Sequence, residues 1–328
     1  MTRQSDPDRI VGRIASESGV PELFDVLAER ISPTDLQSLL IAVYRRRASN
    51  RTPGDVARQY STNRYVQPSS VSPVKATALD QLAFSLLPNS YQPIELSPLS
   101  PFGSCSALGP VDQNRIISTT RNTEVCSDPT NVLALEAAAR RATNATGNRD
   151  QLTRLCASQR VIRTQEIQGS ASFPHFRVLT LCTAGRTAGN LIREEDAVLE
   201  HARFHVTLLG RSVSLGYHVS SIRIVLLALS EKARSRVASI ADRLANEVSE
   251  AGATGVTIET SVETGEQNYY RDYRVQIYAT TQSGQEYFLT DGGLVPWTAQ
   301  LLNNRKEFCM TSGMGTERFV AMWSSPGE

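Results

Sequence analysis

The sequence predicts an α+β protein in which an antiparallel sheet is flanked by helices. Two pairs of segments alternate as β-hairpins do: 160–166 with 175–184, and 269–280 with 286–290. Helical periodicity is interspersed between them, most clearly over 190–209. With 40% hydrophobic and 20% charged residues, the chain can bury a packed core. This mixture favours α+β over a doubly wound parallel sheet.

The first 65 residues are predicted to form a small helical domain. Ser32 and Pro33 supply an N-cap and a first-turn proline for a helix over 34–47. The arginine triplet at 45–47 is a candidate for phosphate contact, although the macrodipole alone favours basic residues at a helix end. A linker rich in proline and serine follows at 66–75, and the main domain occupies 76–328.

The main domain begins with a predicted helix at 77–87. An extended run over 91–101 follows, and its prolines restrict it to an edge strand or an irregular one. Further predicted elements are helices at 131–141 and 231–251 and strands at 221–229 and 256–262.

Composition and charge exclude several classes of protein. The five cysteines are far apart and form no CxxC pair, so buried free thiols are expected rather than disulfides or a zinc site. A net charge of +1 means that any polyanion must bind locally. There is no apolar run of about 18 residues and no signal-like N-terminus, so a soluble cytoplasmic protein is expected.

Familiar catalytic signatures, such as Walker A, HExxH and GxSxG, are missing. His201 and His205 are four residues apart on the predicted helix at 190–209. Two imidazoles at this spacing could hold a metal, but no third ligand is suggested, so a partly exposed helix face is favoured and no metal site is predicted.

The candidate functional residues are arginines next to glycines or within strands. Gly313 and Gly315 precede a predicted helix that carries Arg318, where a guanidinium can pair with phosphate. Arg163 lies in a strand, where an inward charge needs a partner. Asp128 precedes the helix at 131–141 and fits a helix cap.

Taken in order, these segments resemble the class II aminoacyl-tRNA synthetase core, and within it the histidyl-tRNA synthetase branch. Residues 77–98 are similar to the family's first motif, with Pro98 as its proline. Ile162-Arg163-Thr164-Gln165 and the segment from His175 to Cys182 resemble its second motif. Gly313-Met314-Gly315-Thr316-Glu317-Arg318 matches the third.

The resemblance implies a synthetase-like sheet that binds ATP and Mg²⁺. Arg163 and Arg318 would be catalytic, as cations on opposite sides of the reacting phosphate. The residues implied to bind the nucleotide are Arg163, Gln165, Phe176, Gly313, Gly315 and Arg318. Those implied to bind the substrate are Asp128, Thr130, Tyr270, Gly292 and Gly293. A homodimer through the first motif is also implied.

At several positions the sequence differs from the family's pattern, and these differences disfavour some of the family's activities. Gln165 stands where the family has a glutamate that recognises adenine, so weakened ATP recognition is expected. The histidyl branch's polar residues are not evident in 176–182, so histidine is not the expected substrate. The chain ends ten residues after Arg318, which leaves no room for an anticodon-binding domain, and charging of tRNA is not expected.

Three functions remain. The first is ATP-dependent adenylation of a carboxylate, with an amino acid among the candidates, followed by acyl transfer to a non-tRNA acceptor. The second is a non-catalytic ligand-sensing subunit, resembling the histidyl-synthetase-like regulatory subunit of ATP phosphoribosyltransferase. The third is a scaffold whose N-terminal helices recruit a protein partner.

Overall fold

The protein divides into two compact units. One comprises the chain up to Asn63 together with Ser118–Thr123, and the other comprises Arg64–Ile117 and Glu124 onward. A computed structural model describes residues 7–143, 150–165, 173–250, 255–263 and 269–324. Most of the loop predicted between the first pair of hairpin strands, at 166–172, lies outside the described residues.

The first unit is helical, and its helices begin where the sequence offers caps. They are α1 (Pro7–Ser18), α2 (Leu23–Asp25), which continues into a π-helical turn at Val26–Arg30, α3 (Pro33–Ser49) and α4 (Pro53–Thr62). The Ser32 side chain accepts a hydrogen bond from the Asp35 backbone N–H, and Thr52 and Asp55 form a reciprocal capping box. None of the residues described in this unit is buried, so its helices enclose no core of their own.

The second unit is built on an eight-stranded sheet. The strands are β1 (Gln92–Pro93), β2 (Leu99–Pro101), β3 (Thr123–Val125), β4 (Thr153–Ile162), β5 (His175–Arg186), β6 (Ser221–Ala228), β7 (Val256–Val262), β8 (Arg271–Thr280), β9 (Glu286–Val295) and β10 (Glu307–Met314). The sheet order is β1-β4-β5-β10-β9-β8-β6-β7, while β2 and β3 lie outside it. The outer pairs β1–β4 and β6–β7 are parallel and the pairs between them are antiparallel, which confirms the predicted α+β class.

Helices cover both faces of this sheet. They are α5 (Pro73–Ser85), α6 (Ser104–Leu108), α7 (Pro129–Thr143), α8 (Ile192–Arg211), α9 (Glu231–Arg234), α10 (Val237–Glu250), α11 (Trp297–Leu301) and α12 (Thr316–Trp323), with 3-10 turns at Gln113–Arg115 and Ser212–Leu215. The helix α7 packs on β4, β5 and β10, whereas α8 packs on β8, β9 and β10 and is covered by α10. Alternation along β10 separates the two faces: Cys309 belongs to the core under α7, and Met310 to the core under α8.

The prediction of a partly exposed face for His201 and His205 was wrong. Both imidazoles are fully buried, because α8 lies between the sheet and α10. The Ser312 hydroxyl of β10 lies 2.9 Å from Nδ1 of His201 and 2.9 Å from Nε2 of His205. The Ser312 hydroxyl therefore contacts both rings, while Nε2 of His201 lies 3.0 Å from the Thr183 hydroxyl and Nδ1 of His205 has no hydrogen-bond partner among the described residues.

The cysteines are as predicted. All five are buried free thiols. Burial raises the pKa of Cys105 to about 11 and that of Cys126 and Cys156 to about 12, so these thiols stay protonated at neutral pH. Along the described part of the chain, no helix combines the length and apolar character needed to span a membrane.

Candidate functional site

A cavity of about 460 Å³ opens at the N-terminal end of α7, on the α7 face of the sheet. It brings together most of the residues singled out in the sequence. Its lining includes Asp128, Thr130, Arg163, Gln165, Phe176, Tyr270, Gly313, Gly315 and Arg318. Gly292 and Gly293 do not line it.

Arg163 enters the cavity directly after β4. Its Nε donates a hydrogen bond of 3.1 Å to the Ser127 carbonyl oxygen, which leaves the rest of the guanidinium available to a ligand. Its Cζ lies 5.3 Å from the centroid of the Phe176 ring. The antiparallel register pairs Val161 with Phe176, so the end of β4 and the start of β5 present the cation and the ring together.

Arg318 enters from the first turns of α12. Its Nη1 donates a hydrogen bond of 3.2 Å to the Phe288 carbonyl oxygen of β9. Burial and the nearby charge of Arg163 both lower the pKa of Arg318. Within the described ranges, neither arginine forms an ion pair with a carboxylate.

The start of α12 is held by a buried carboxylate next to Arg318. Glu317 accepts a hydrogen bond of 2.8 Å from the Arg177 backbone N–H and one of 3.1 Å from Nη2 of Arg160. The Ser69 hydroxyl donates a further short hydrogen bond to it. These contacts compensate the cost of burying the charge, and they fix the direction in which α12 leaves the sheet.

Asp128 joins two elements at the acidic side of the cavity. Its Oδ1 caps α7 by accepting from the Thr130 backbone N–H at 3.0 Å and from the Thr130 hydroxyl at 2.7 Å. Its Oδ2 accepts a hydrogen bond of 3.0 Å from the Tyr269 hydroxyl. The residue is therefore a helix cap whose second oxygen faces the aromatic wall of the cavity.

Tyr270 and a neighbouring ion pair form the wall beside Asp128. Arg274 of β8 and Asp291 of β9 are joined by two hydrogen bonds of 2.9 and 3.0 Å. Burial, followed by the charges of Asp291 and Asp128, raises the pKa of Tyr270 well above its ordinary value. The phenol therefore keeps its proton and can donate it in a hydrogen bond.

Gly292 and Gly293 lie in tightly packed backbone behind the cavity, and Gly293 packs against the Tyr270 wall. A Cβ at position 293 would lie 2.6 Å from a ring carbon of Tyr270 and 2.7 Å from the Tyr273 carbonyl oxygen. A Cβ at position 292 would lie 2.6 Å from the Ser312 Cβ. These contacts are closer than real Cβ atoms tolerate, so glycine at 293 is what allows the Tyr270 ring to lie against β9.

Sequence reasoning missed several lining residues. They are Arg115, Phe173, Tyr269, Arg274, Phe288, Leu289 and Asp291, among others. Arg274 lies on the first strand of the predicted hairpin and Asp291 directly follows the second, which was predicted at 286–290, so opposite charges at the same hairpin were the available signal. The sequence did not predict which residues of β8 and β9 lie opposite each other, because an irregularity between Arg271 and Arg274 shifts the register of the two strands.

The described residues contain no group of three or more His, Cys, Asp or Glu side chains arranged to hold a metal ion. The two carboxylates of the cavity already have partners: Asp128 caps α7, and Asp291 is paired with Arg274. A divalent cation here would therefore take most of its oxygen ligands from a bound phosphate chain and water, as Mg²⁺ commonly does.

Comparison with solved structures gives the core a known fold. A structure described as an ATP phosphoribosyltransferase regulatory subunit/histidyl-tRNA synthetase from Bacillus halodurans superposes with a TM-score of 0.55 at 11% identity, covering 79% of this chain and 83% of that one. The apo histidyl-tRNA synthetase of S. aureus gives a TM-score of 0.52 at 11% identity, covering 77% and 67%. The predicted class II synthetase-like core, with its likeness to the histidyl branch, is thereby confirmed as a fold. No protein-family model and no curated protein matches the sequence.

Proposed function

We propose that this chain adenylates a carboxylate at the expense of ATP, with an amino acid among the candidate acids, and transfers the acyl group to an acceptor other than tRNA. The observation that carries the proposal is the pair of arginines in one cavity. Arg163 and Arg318 repel each other, and neither has a carboxylate partner among the described residues. A bound oligoanion would remove this repulsion, so the cavity is suited to a triphosphate.

The reaction needs positive charge on both sides of the reacting phosphorus. One oxygen of the substrate carboxylate attacks the α-phosphorus of ATP, a new P–O bond forms, and the bond to the β-phosphate oxygen breaks. Pyrophosphate leaves with that electron pair. Arg163 and Arg318 would stabilise the negative charge that builds up on the phosphate oxygens, and a fixed donor of this kind is worth about 3 kcal/mol. Mg²⁺ would supply further positive charge on the leaving pyrophosphate.

The residues around the arginines support a nucleotide. The Phe176 ring, already close to Arg163, offers an apolar face for a base. Gln165 also lines the cavity, and its amide can accept a hydrogen bond from an exocyclic amine through its oxygen. Gly313 and Gly315 let a ligand approach the backbone at the start of α12.

The acidic side of the cavity supports a substrate that carries an amino group. Asp128 and Tyr270 face the same space as the arginines, and Thr130 orients the Asp128 carboxylate. An ammonium group placed against Asp128 would hold the substrate carboxylate toward the phosphate. In the second step the acceptor attacks the carbonyl carbon, AMP leaves, and the acceptor loses its proton.

A second candidate is a ligand-sensing subunit without catalysis. The Bacillus halodurans structure is described as a regulatory subunit as well as a synthetase, and the overlap covers most of both chains. Gln165 in place of an adenine-recognising glutamate also favours weakened nucleotide chemistry. Such a subunit would bind a nucleotide or an amino acid in the cavity and turn neither over.

A pyrophosphate-exchange screen separates the two candidates. The full chain is incubated with Mg-ATP, labelled pyrophosphate and each of the twenty amino acids, and then with other carboxylic acids. We expect label to enter ATP with one acid or a narrow set of acids. Ligand binding by calorimetry without exchange would support the sensing subunit. The absence of both binding and exchange would overturn both candidates.

The homodimer implied by the class II resemblance is also part of the proposal. Sedimentation at micromolar concentration reports the oligomeric state directly.

A further inference from the structure

The first unit carries a concentrated positive charge that is separate from the cavity. Residues 36–63 contain five arginines and a single acidic residue, Asp55, a net charge of +4 in a chain whose total is +1. The arginines are Arg45, Arg46, Arg47, Arg51 and Arg58. The rest of the chain is therefore net negative, so the basic segment is a local feature rather than a reflection of composition.

Three of these arginines, Arg45, Arg46 and Arg47, carry no compensating charge, whereas Arg51 interacts electrostatically with Asp55. Arg45, Arg46, Arg47 and Arg51 are exposed, and in the described part of the chain none of them forms an ion pair. Asp55 is occupied, because it accepts from the Thr52 N–H at 3.0 Å and pairs with Arg58 at 3.1 Å. One or two basic residues suffice to complement the macrodipole at the end of α3, so three exceed what the helix needs.

The arrangement of these charges favours a flexible polyanion. Arg45, Arg46 and Arg47 are consecutive residues of α3, so their side chains spread over about 200° of the helix circumference. A helix that lies on a membrane instead segregates its charges from one apolar face, and α3 does not segregate them. A strand of phosphates that can bend around the end of α3 reaches all three arginines.

An exposed aromatic side chain adjoins the basic patch. Tyr44 precedes the triplet and is 58% exposed, and helical spacing places it beside Arg47. Tyr60 on α4 is 52% exposed. Large exposed aromatic rings next to arginines are the combination that binds single strands, where bases stack on the ring and guanidinium groups contact phosphates.

We propose that the end of α3 and the start of α4 form a binding surface for single-stranded nucleic acid, centred on Arg45, Arg46, Arg47, Arg51 and Tyr44. The surface is independent of the adenylation proposal, because none of its residues lines the cavity. Recognition through phosphates and stacking predicts little sequence preference and a strong dependence on salt.

Fluorescence anisotropy of the full chain with a labelled 12-nucleotide RNA of mixed sequence tests the proposal. The variant Arg45→Gln/Arg46→Gln/Arg47→Gln should weaken binding at least tenfold and flatten the slope of log affinity against log salt by about 2, at ~0.7 per lost phosphate contact. The matched control Arg9→Gln/Arg13→Gln/Arg30→Gln removes the same charge from α1 and the turn after α2 and should change affinity less than threefold. Equal losses in the two triple variants, or no binding by the wild-type chain at low salt, would overturn the proposal.

A second variant distinguishes a nucleic acid from other polyanions. Tyr44→Ala should weaken binding of the single-stranded RNA about fivefold and leave binding of a heparin fragment of equal charge unchanged, because only bases stack on the ring. If Tyr44→Ala affects neither ligand, or if vesicles of anionic lipid bind at the same sites while RNA does not, the nucleic-acid assignment is wrong. Far-ultraviolet circular dichroism checks that α3 is intact in each variant.

Discussion

The guanidinium of Arg318 lies in an unfavourable electrostatic environment within the cavity. Burial and the charge of Arg163 lower its pKa, yet an arginine keeps its proton at neutral pH. The two cations therefore repel each other in the folded protein. An anion that binds between them gains the energy of this repulsion as affinity.

Loss of either arginine should weaken nucleotide binding. We expect Arg163→Ala and Arg318→Ala each to raise the calorimetric Kd for Mg-ATP at least tenfold, since one charged hydrogen bond is worth roughly 1.5–3 kcal/mol. Relief of the repulsion should offset the loss of each arginine's hydrogen bond to a carbonyl oxygen, so the melting temperature should change by no more than about 2 °C in either variant. Arg203→Ala is the matched control, since Arg203 is exposed on α8 and paired with Glu247. ATP affinity at the wild-type level in both cavity variants would contradict the assignment.

How much of the site was predictable depended on where each residue stands in the chain. Arg163, Arg318 and Asp128 stand in short segments whose local pattern indicates a strand, a glycine-rich turn and a helix start, although β4 ends one residue before Arg163. The pairing of Arg274 with Asp291 depends on strand register, which a single sequence does not determine. Gly292 and Gly293 were predicted to contact substrate, and only the packed structure places Tyr270 and Ser312 against them.

At the scale of elements, α8 and β10 share a buried polar contact that the sequence pattern did not indicate. A helix that is acidic early and basic later was expected to expose its two histidines, but α10 covers it. Burial lowers the pKa of His205 to about 3, and burial, followed by electrostatic coupling to His205 and the charge of Arg154, lowers that of His201 well below its ordinary value. Both rings are therefore neutral in the folded protein.

The neutral rings make stability depend on pH. Because both folded pKa values lie below the unfolded value of about 6.5, the unfolded chain binds more protons, and stability is lost as pH falls below 6.5. At pH 5.5 each ring that stays neutral lowers the free energy of unfolding by about 1.4 kcal/mol, or about 3 kcal/mol for the two. Urea unfolding at pH 7.5 and 5.5 should show this loss.

The contribution of one ring can be isolated. His205→Gln should reduce the pH-dependent loss by about half, whereas His218→Gln, which alters an exposed histidine, should leave it unchanged. Identical pH dependence in wild type and His205→Gln would mean that the ring is protonated in the folded protein or exposed.

The boundaries of elements were predicted less well than their existence. The helix predicted at 77–87 begins earlier, at Pro73, where proline occupies the first turn after Ser72. The extended run over 91–101 forms only two short strands, β1 and β2, because its prolines cannot donate to a ladder. The hairpin strand β8 and the start of β9 were close to their predicted bounds, since alternation and the turn at Gly284 mark them locally, but β9 continues to Val295, five residues beyond the predicted end at 290.

At the scale of the whole molecule, apolar burial is distributed unevenly between the two units. The buried hydrophobic residues of the described chain all belong to the second unit. Hydrophobic burial is the main favourable term in folding, so the second unit supplies nearly all of the stability. The first unit instead exposes arginines and aromatic rings, which suits it to binding.

Removal of residues 1–63 should therefore leave heat unfolding of the remaining chain nearly unchanged. We expect the calorimetric melting temperature to stay within about 2 °C of the full-length value, because no described residue of the deleted helices is buried and a change of 1 kcal/mol shifts Tm by roughly 2–4 °C in a domain of this size. Leu133→Ala is the comparison: this fully buried residue of α7 should cost about 2–5 kcal/mol and lower Tm by several degrees or more. If the truncated chain melts as early as Leu133→Ala, the first sixty-three residues contribute to the folded core, and the unequal division of stability between the two units is wrong.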